Sequence, residues 1–190
     1  SLEWVSDYID ISDQDLKELA VKITQSGINV EKVITNHIDN LVIGKVISCI
    51  DHPDSDHLHV CMVDVGKSET IQIVCGAPNV REGLKVIVSL PGAVLPGDFE
   101  IKKGKIRGVE SNGMICALYE LGLEEKNDET YAKGIEELNS DAKVGEDPIK
   151  YLGLDDTLYE LDIHKHRNND CYYHIGFAYE IGAILNRGVV

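Results

Sequence analysis

The 190-residue chain has no long apolar run and little positive charge. No segment approaches the roughly 20 consecutive apolar residues that a membrane span needs, and Ser1–Trp4 has neither a basic start nor the apolar core of a signal peptide. We therefore expect a soluble protein. The chain does not begin with Met, so we also expect it to lie within a longer protein or to have been trimmed.

Cysteine is sparse and unpatterned. The five cysteines are odd in number and include no C-x-x-C pair; they are Cys49, Cys61, Cys75, Cys116 and Cys171. This pattern argues against a disulfide framework and against a zinc ribbon. We expect a reducing, cytoplasmic location.

Basic residues are outnumbered, with 18 Lys and Arg against 33 Asp and Glu, for a net charge of −15. That sign is wrong for a protein whose whole surface meets phosphate. The acid is concentrated outside residues 41–120, which hold 8 basic and 10 acidic side chains, whereas residues 121–160 hold 4 and 12. Within residues 41–120 there is one basic patch, which consists of Lys102, Lys103, Lys105 and Arg107. The acidic residue that opposes it locally is Glu100.

The first 40 residues predict a helix followed by a strand. Ser12 and Asp15 suggest a capping box, apolar residues recur at helical spacing over 12–26, and Gly27 suits the C-terminal cap. A strand is expected over 30–34.

From residue 41 the pattern changes to short β-type runs separated by Gly, Pro, Asn and Asp turns. The predicted strands are Leu41–Ile50, Leu58–Val65, Ile71–Cys75, Lys85–Leu90 and Met114–Leu118. Five strands in about 80 residues indicate a small Greek-key barrel. A hairpin of 94–95 with 99–101 is expected to cross its end, and an acidic connection with a short helix near 149–152 is expected to follow.

The last segment predicts a strand over 158–163 and an apolar helix starting near Asn169 and Asp170. A helix and strand thus precede the barrel, and a strand and helix follow it. We predict an α+β fold in which a five-stranded β-barrel (residues 40–151) is inserted into a small α/β domain built from residues 1–39 and 152–190.

Two motifs carry a family resemblance. Asp51–Gly66 (DHPDSDHLHVCMVDVG) combines a Pro-containing turn with an alternating strand, and Gly108–Ala117 (GVESNGMICA) is a Ser-x-Gly-Met turn leading into an apolar strand. Together they resemble the tRNA-binding OB barrel of the EMAP II-like family. The resemblance implies an OB-type barrel that binds tRNA.

The first motif also suggests a metal site, because His57, His59 and Cys61 would share one face of a strand. The simpler interpretation is a turn whose carboxylates accept backbone N–H groups, followed by an ordinary alternating strand. We favour the second interpretation and predict no metal ligands and no catalytic residues.

The candidate RNA-binding residues come from the basic patch and the second motif. They are Lys102, Lys103, Lys105, Arg107, Ser111, Asn112, Gly113 and Met114. The cations can neutralise phosphates. The turn offers a hydroxyl, an amide and a Met that can pack on a base; the alternative is a loop that only closes the barrel.

Aromatic residues are rare where RNA would bind. Residues 41–120 contain only Phe99 and Tyr119. Since single-stranded RNA is usually held by stacking aromatics, we expect weak, salt-sensitive binding directed at shape more than at base sequence. The aromatic residues of the final helix, Tyr172, Tyr173, Phe177 and Tyr179, are expected to pack the end-built domain or a neighbouring chain.

The flanks are similar to the bacterial phenylalanyl-tRNA synthetase beta-subunit family. The similarity lies in Ser1–Tyr8 (SLEWVSDY), Gln25–Glu31 (QSGINVE), Gly76–Val80 (GAPNV), Leu95–Gly97 (LPG), Ile101–Met114 (IKKGKIRGVESNGM) and Ala178–Ile181 (AYEI). One departure is His164-Lys165-His166-Arg167, where the family usually has Thr-Pro-Asn-Arg.

That resemblance implies an N-terminal fragment of a beta subunit that works with an alpha subunit to attach phenylalanine to its tRNA, using ATP and magnesium. The catalytic and editing regions lie elsewhere in the family's enzyme, so no cofactor and no chemistry are expected in this fragment alone. The implied partners are phenylalanine-accepting tRNA, the alpha subunit and the rest of the beta subunit, with no membrane and no DNA. The alternative is a structural or domain-docking module with negligible tRNA affinity of its own.

Overall fold

The computed structural model describes residues 1–190, apart from the side chain of Asn168. The chain divides into two compact units. Unit 1 consists of Ser1–Asn36 and Leu154–Val190, and unit 2 of His37–Gly153. No helix among the described residues is both long and apolar enough to span a bilayer.

The helices are short, and most lie in unit 1. They are α1 (Leu2–Ser6), α2 (Leu16–Ser26), α3 (Asp128–Lys133), α4 (Pro148–Tyr151), α5 (Asn168–Cys171) and α6 (His174–Leu185), with 3-10 turns at Leu118–Leu121 and Lys165–Arg167.

The strands lie mainly in unit 2. They are β1 (Asn29–Thr35), β2 (Leu41–Asp51), β3 (His59–Asp64), β4 (Ile71–Cys75), β5 (Lys85–Ser89), β6 (Val94–Leu95), β7 (Phe99–Glu100), β8 (Gly104–Ile106), β9 (Val109–Ser111), β10 (Met114–Cys116), β11 (Glu137–Leu138) and β12 (Thr157–Asp162).

In unit 1, helices pack on a two-stranded antiparallel sheet formed by β1 and β12. Apolar side chains of α1, α2 and α6 are buried together, among them Val5, Ile23 and Ile181. Residues from both ends of the chain therefore share one core, which explains why unit 1 is discontinuous in sequence.

The start of α2 differs from the sequence prediction. Asp15 caps the helix by accepting hydrogen bonds from the backbone N–H groups of Lys17 and Glu18. Ser12 lies outside the helix, where its hydroxyl donates to the carboxylate of Asp10 at 2.7 Å. Both residue types cap helices well, so the sequence pattern placed the start too early. Gly27 ends the helix with a φ of 111°, as predicted.

The final helix also starts later than expected. Asn169 and Asp170 fall in the short helix α5, and α6 begins only at His174. Just before α5, Arg167 donates to the carboxylates of Asp170 (2.8 Å) and Glu180 (2.7 Å). Although residues 164–166 depart from the family pattern, Arg167 thus links the loop to α6.

The aromatic residues of this region divide between core and surface. Phe177 is buried in the unit 1 core. Trp4, Tyr172, Tyr173 and Tyr179 are exposed, and the Trp4 ring centroid lies 5.0 Å from that of His174.

Unit 2 is built on a curled antiparallel sheet with strand order β10–β5–β2–β3–β4, and β11 pairs with β5. The long strand β2 pairs with β5 over its first half and with β3 over its second, with a register irregularity between Val46 and Ser48. An irregularity of this kind bends the strand and so lets the sheet curl. The core lies inside the curve and includes Val46, Val63, Ile73, Val88 and Ile115.

The edges of this sheet are brought together by one short segment. The backbone N–H of Asn112 donates to the carbonyl of Gln72 at 2.8 Å, and the amide side chain of Gln72 donates to the carbonyl of Glu110 at 2.8 Å. The hydroxyl of Ser111 accepts from the backbone N–H of Val74 at 3.1 Å and donates to the carbonyl of Gly113 at 3.1 Å. Ser111 is only 5% exposed, so its hydroxyl, and not water, accepts the hydrogen bond from the backbone N–H of Val74.

The five predicted barrel strands are present with similar bounds, as is the hairpin of β6 and β7. The sequence prediction missed a second hairpin (β8 and β9), the short helix α3 and the strand β11. The sheet therefore holds six strands where five were predicted.

Replacing Ser111 by alanine is expected to destabilise unit 2, because the buried N–H of Val74 loses its acceptor. The expected loss in the free energy of unfolding is about 1–3 kcal/mol, measured by urea unfolding followed by circular dichroism. Amide exchange at Val74 should also accelerate. Ser68→Ala, on an exposed turn, is the control and should leave both quantities unchanged.

Unit 1 should show an acid-sensitive contribution from Asp13. The guanidinium of Arg187 donates to the Asp13 carboxylate at 2.7 Å and holds the pKa of Asp13 well below its usual 3.8. A pKa lowered by folding stabilises the protein above the unfolded-state value, and this contribution is lost as the pH falls below it.

Asp13→Asn should therefore reduce stability at pH 7, and its difference from wild type should shrink as the pH falls from about 5 to below 3.8. Fluorescence of the single Trp, Trp4, reports unfolding of unit 1. Glu31→Gln is the control, since the structure gives Glu31 no ion pair with any described side chain. A difference between wild type and Asp13→Asn that does not change with pH would contradict the role of the carboxylate charge.

Candidate nucleic-acid interface

The basic patch lies on the hairpin formed by β8 and β9 and on the two residues before β8. We call residues 102–111 together the basic hairpin. Its loop is Arg107-Gly108, with φ values of 47° and 85°. Positive φ at both loop positions defines the type I′ turn that suits the twist of two-residue hairpins. The turn holds Arg107 at the tip, in a backbone conformation that non-glycine residues rarely adopt.

The tip of the basic hairpin is fixed to the turn at residues 52–54. His52 is 4% exposed, and its Nδ1 accepts from the backbone N–H of Asp54 at 3.1 Å. Its Nε2 therefore carries the proton and donates to the carbonyl of Ile106, also at 3.1 Å. Arg107 donates from Nη1 to the carbonyl of Asp54 at 3.1 Å. The histidine holds two loops together, and both of its ring nitrogens are occupied.

The four cations of the patch are exposed but are not equivalent. Lys102 pairs with Glu100 at 2.8 Å, and this hydrogen bond raises the pKa of Lys102. Arg107 donates one hydrogen bond to the carbonyl of Asp54 and is otherwise exposed. Lys103 and Lys105 make no ion pair with any side chain that the structure describes. Lys103, Lys105 and the free donors of Arg107 are thus available to an anionic ligand.

The Ser111–Met114 turn lies next to the hairpin. Ser111 is fully engaged within the fold, as described above, so it positions the turn. Gly113 has a φ of 154°, and a Cβ there would lie 2.8 Å from the carbonyl oxygen of Ser89. Only glycine fits this close approach. Asn112 and Met114 are half-buried and keep part of their side chains at the surface.

The hairpin, the turn and β7 enclose a groove of about 210 Å³, which we call the β7 groove. Val74 and Ile101, both buried, form part of its lining, and Met114 lines it from the turn. Lys102, Lys105 and Glu100 also line it, and Lys102 and Glu100 form an ion pair. Phe99 also lines it and is 57% exposed. The structure therefore brings together an aromatic ring, apolar side chains and lysines.

The sequence prediction placed Phe99 in a hairpin strand and named it as one of two scarce aromatics, but did not assign it to the site. The available signal was its position three residues before Lys102, at the end of a Pro-Gly-Asp turn. Tyr119, the other aromatic of 41–120, is half-buried and does not line this groove.

The His, Asp and Cys residues of the first motif do not form a metal cluster. Among the residues that the structure describes, no group of three or more His, Cys, Asp or Glu side chains is arranged to hold a metal ion. Cys61 points into the core, 3.6 Å from the sulfur of Cys49 on the neighbouring strand, and burial raises the pKa of Cys61. His59 pairs loosely with Asp51 at 3.6 Å.

Comparison with known proteins assigns the sheet and the hairpin to one family. Residues 41–147 match the family model described as "Putative tRNA binding domain" (tRNA_bind). This match covers more than half of the chain and includes the basic hairpin, the Ser111–Met114 turn and the β7 groove. The resemblance carried by the two sequence motifs is confirmed.

Relatives that align over the whole of this chain include phenylalanine–tRNA ligase beta subunits. The chain is 50% identical to the phenylalanine–tRNA ligase beta subunit of Geobacillus kaustophilus and 47% identical to that of Bacillus subtilis. Each alignment covers 100% of this chain and 24% of the relative, so the chain spans about a quarter of the length of these curated relatives.

A solved structure with partial similarity is the MetRS related protein from Pyrococcus horikoshii. It is 23% identical, with a TM-score of 0.40, over 55% of this chain and 84% of that one.

Because the family model covers the sheet, the hairpin and the turn, the chain belongs to the tRNA-binding-domain (tRNA_bind) family, and its whole length is similar to the N-terminal region of phenylalanine–tRNA ligase beta subunits.

Proposed function

We propose that the chain is the tRNA-binding and structural N-terminal part of a phenylalanyl-tRNA synthetase beta subunit. In this proposal residues 40–151 form an OB-type domain inserted into a host domain made of residues 1–39 and 152–190. The compact units at His37–Gly153 and at the two chain ends support this division. The complete enzyme would attach phenylalanine to its tRNA with ATP and magnesium in the cytoplasm, together with an alpha subunit and the rest of the beta subunit.

The observation that carries the tRNA-binding proposal is the fixed geometry of the basic hairpin. His52 and the type I′ turn hold Lys103, Lys105 and Arg107 on one exposed element next to the Ser111–Met114 turn. Cations that the fold already holds in place can neutralise phosphates without the entropic cost of ordering a loop. The proposed contacts are phosphates at Lys102, Lys103, Lys105 and Arg107, and sugar or base edges at Asn112 and Met114, with Ser111 and Gly113 shaping the turn.

This local arrangement accounts for RNA binding by an acidic protein. Screening limits the repulsion from distant carboxylates to about 8–10 Å at physiological salt. The electrostatic energy of phosphates that touch the hairpin therefore depends mainly on the nearby cations. The net charge of −15 still opposes approach from other directions, which favours one orientation of the bound RNA.

The second candidate is a structural or domain-docking module with negligible tRNA affinity of its own. It is favoured by the exposed aromatics of unit 1, Trp4, Tyr172, Tyr173 and Tyr179. Exposed aromatic residues are typical of protein interfaces. The two roles occupy different units of the chain and are separated by the following measurement.

Changing Lys102, Lys103, Lys105 and Arg107 together to Ala should weaken tRNA binding and flatten its salt dependence. Each phosphate contact contributes roughly 0.7–0.9 to the slope of log K against log salt. We expect a slope lower by about 2–4 in the variant, measured by fluorescence anisotropy with tRNA transcript over a salt series.

The control for this variant removes four cations elsewhere in unit 2: Lys67, Lys126, Lys143 and Lys150 to Ala. This control changes the net charge by the same amount as the hairpin variant. It should change the slope of log K against log salt far less. Equal effects of the two variants would show that total charge, and not the hairpin, governs binding. Absence of binding by wild type at low salt would leave the docking module as the function.

Glu100→Gln should strengthen tRNA binding, because it releases Lys102 from its 2.8 Å ion pair. Exposed pairs are worth about 0.2–1 kcal/mol, so an increase of roughly two- to fivefold is expected at low salt. Glu82→Gln, an exposed position in unit 2, is the charge-matched control. If both variants gain equally, Glu100 has no specific role.

A further inference from the structure

We propose that the β7 groove binds one unpaired nucleotide of the RNA, with its base stacked on Phe99 and its phosphate near Lys105. This inference rests on the proposed function and adds a ligand class to it. A base within a duplex has both faces covered by its neighbours, so only an unpaired base can present a face to a protein side chain.

The position of Phe99 is the first observation behind this inference. A Phe ring left 57% exposed on a two-residue strand loses the hydrophobic stabilisation that burial would supply. Its neighbours in the groove are buried Val74 and Ile101 and the half-buried Met114. The ring and Met114 thus offer two apolar contacts to a flat ligand, and both rings and thioethers pack well on π-faces.

The charge around the groove is the second observation. Lys102, Lys105 and Glu100 all line it. Because Glu100 forms an ion pair with Lys102, Lys105 gives the rim its net positive charge, while the buried Val74 and Ile101 make the interior apolar. This combination of a stacking platform with a positive track is the physical pattern of single-stranded nucleic-acid binding. An apolar protein segment would gain nothing from the lysines, which is why we favour a nucleotide.

The size and the rigidity of the groove are the third observation. Its volume of about 210 Å³ lies below the roughly 300–1,000 Å³ of pockets that hold drug-sized ligands, which suits a single base. Two of its walls are fixed by contacts already described: the hairpin by His52, and the turn by Ser111 and Gly113. Such a groove does not need to be assembled when the base arrives.

The test uses a short single-stranded RNA containing one 2-aminopurine, titrated against the full chain and compared with the same sequence in a duplex. Stacking quenches 2-aminopurine fluorescence. Wild type should quench the single strand and bind it more tightly than the duplex. Phe99→Leu keeps an apolar side chain but removes the ring; it should bind the single strand about 5- to 50-fold more weakly and lose the quenching.

Phe99→Trp should restore both affinity and quenching, since it returns an aromatic face. Tyr131→Leu removes an exposed aromatic of unit 2 that does not line the groove and should have no effect. Lys105→Ala should weaken binding more than Lys103→Ala, because Lys105 lines the groove and Lys103 does not. Urea unfolding checks that each variant keeps the wild-type stability.

The outcomes separate this inference from the proposed function. If wild type binds tRNA with strong salt dependence but Phe99→Leu behaves like wild type, the nucleotide site is overturned and the tRNA-binding function stands. If wild type binds neither tRNA nor the single strand at low salt, the proposed function fails and the inference fails with it.

Discussion

The hydrogen bond from the backbone N–H of Val74 to the hydroxyl of Ser111 is the interaction on which the candidate site depends. It brings the edge strand β4 to the end of β9, 37 residues later in the chain. The same hydroxyl donates to Gly113, so it shapes the turn that ends the basic hairpin. Closing the sheet and placing the candidate RNA-binding surface are therefore one structural event. A polar residue buried in this way is stable only because both of its hydrogen-bonding roles are satisfied.

A second constraint acts at the opposite end of the basic hairpin. His52 donates to Ile106 and accepts from Asp54, and Arg107 donates back to the same turn. The hairpin is held at its tip by these bonds and at its base by Ser111. Its exposed cations are thus presented by a rigid element, although the chain as a whole is strongly acidic. This explains how a local positive surface persists within a protein of net charge −15.

Much of the sheet could be predicted from the sequence, because its strands alternate apolar residues and are separated by Gly, Pro and Asp turns. The strand Ile71–Cys75 has the predicted bounds. The β8–β9 hairpin could not be found this way, since residues 104–108 are all exposed and supply no apolar period. Its loop is Arg-Gly, which lacks the Asn-Gly or Asp-Gly signal of a type I′ turn.

The candidate site likewise contains residues that local sequence patterns identify and residues that only the fold brings together. Lys102 to Met114 could be identified from local charge and a motif, which are properties of neighbouring residues. The link from His52 to Ile106 spans 54 residues, and no local pattern indicates it. Phe99 was missed as a site residue because its importance comes from the groove it shares with Lys105 and Met114, which exists only in the folded chain.

The most direct test of the account is a backbone NMR titration of the 21.0 kDa chain with tRNA. The account predicts the largest shift changes at residues 99–114, around the basic hairpin, the turn and the β7 groove, with little change in unit 1. Changes concentrated in unit 1, or spread evenly over the acidic surface, would contradict the assignment of RNA binding to this interface.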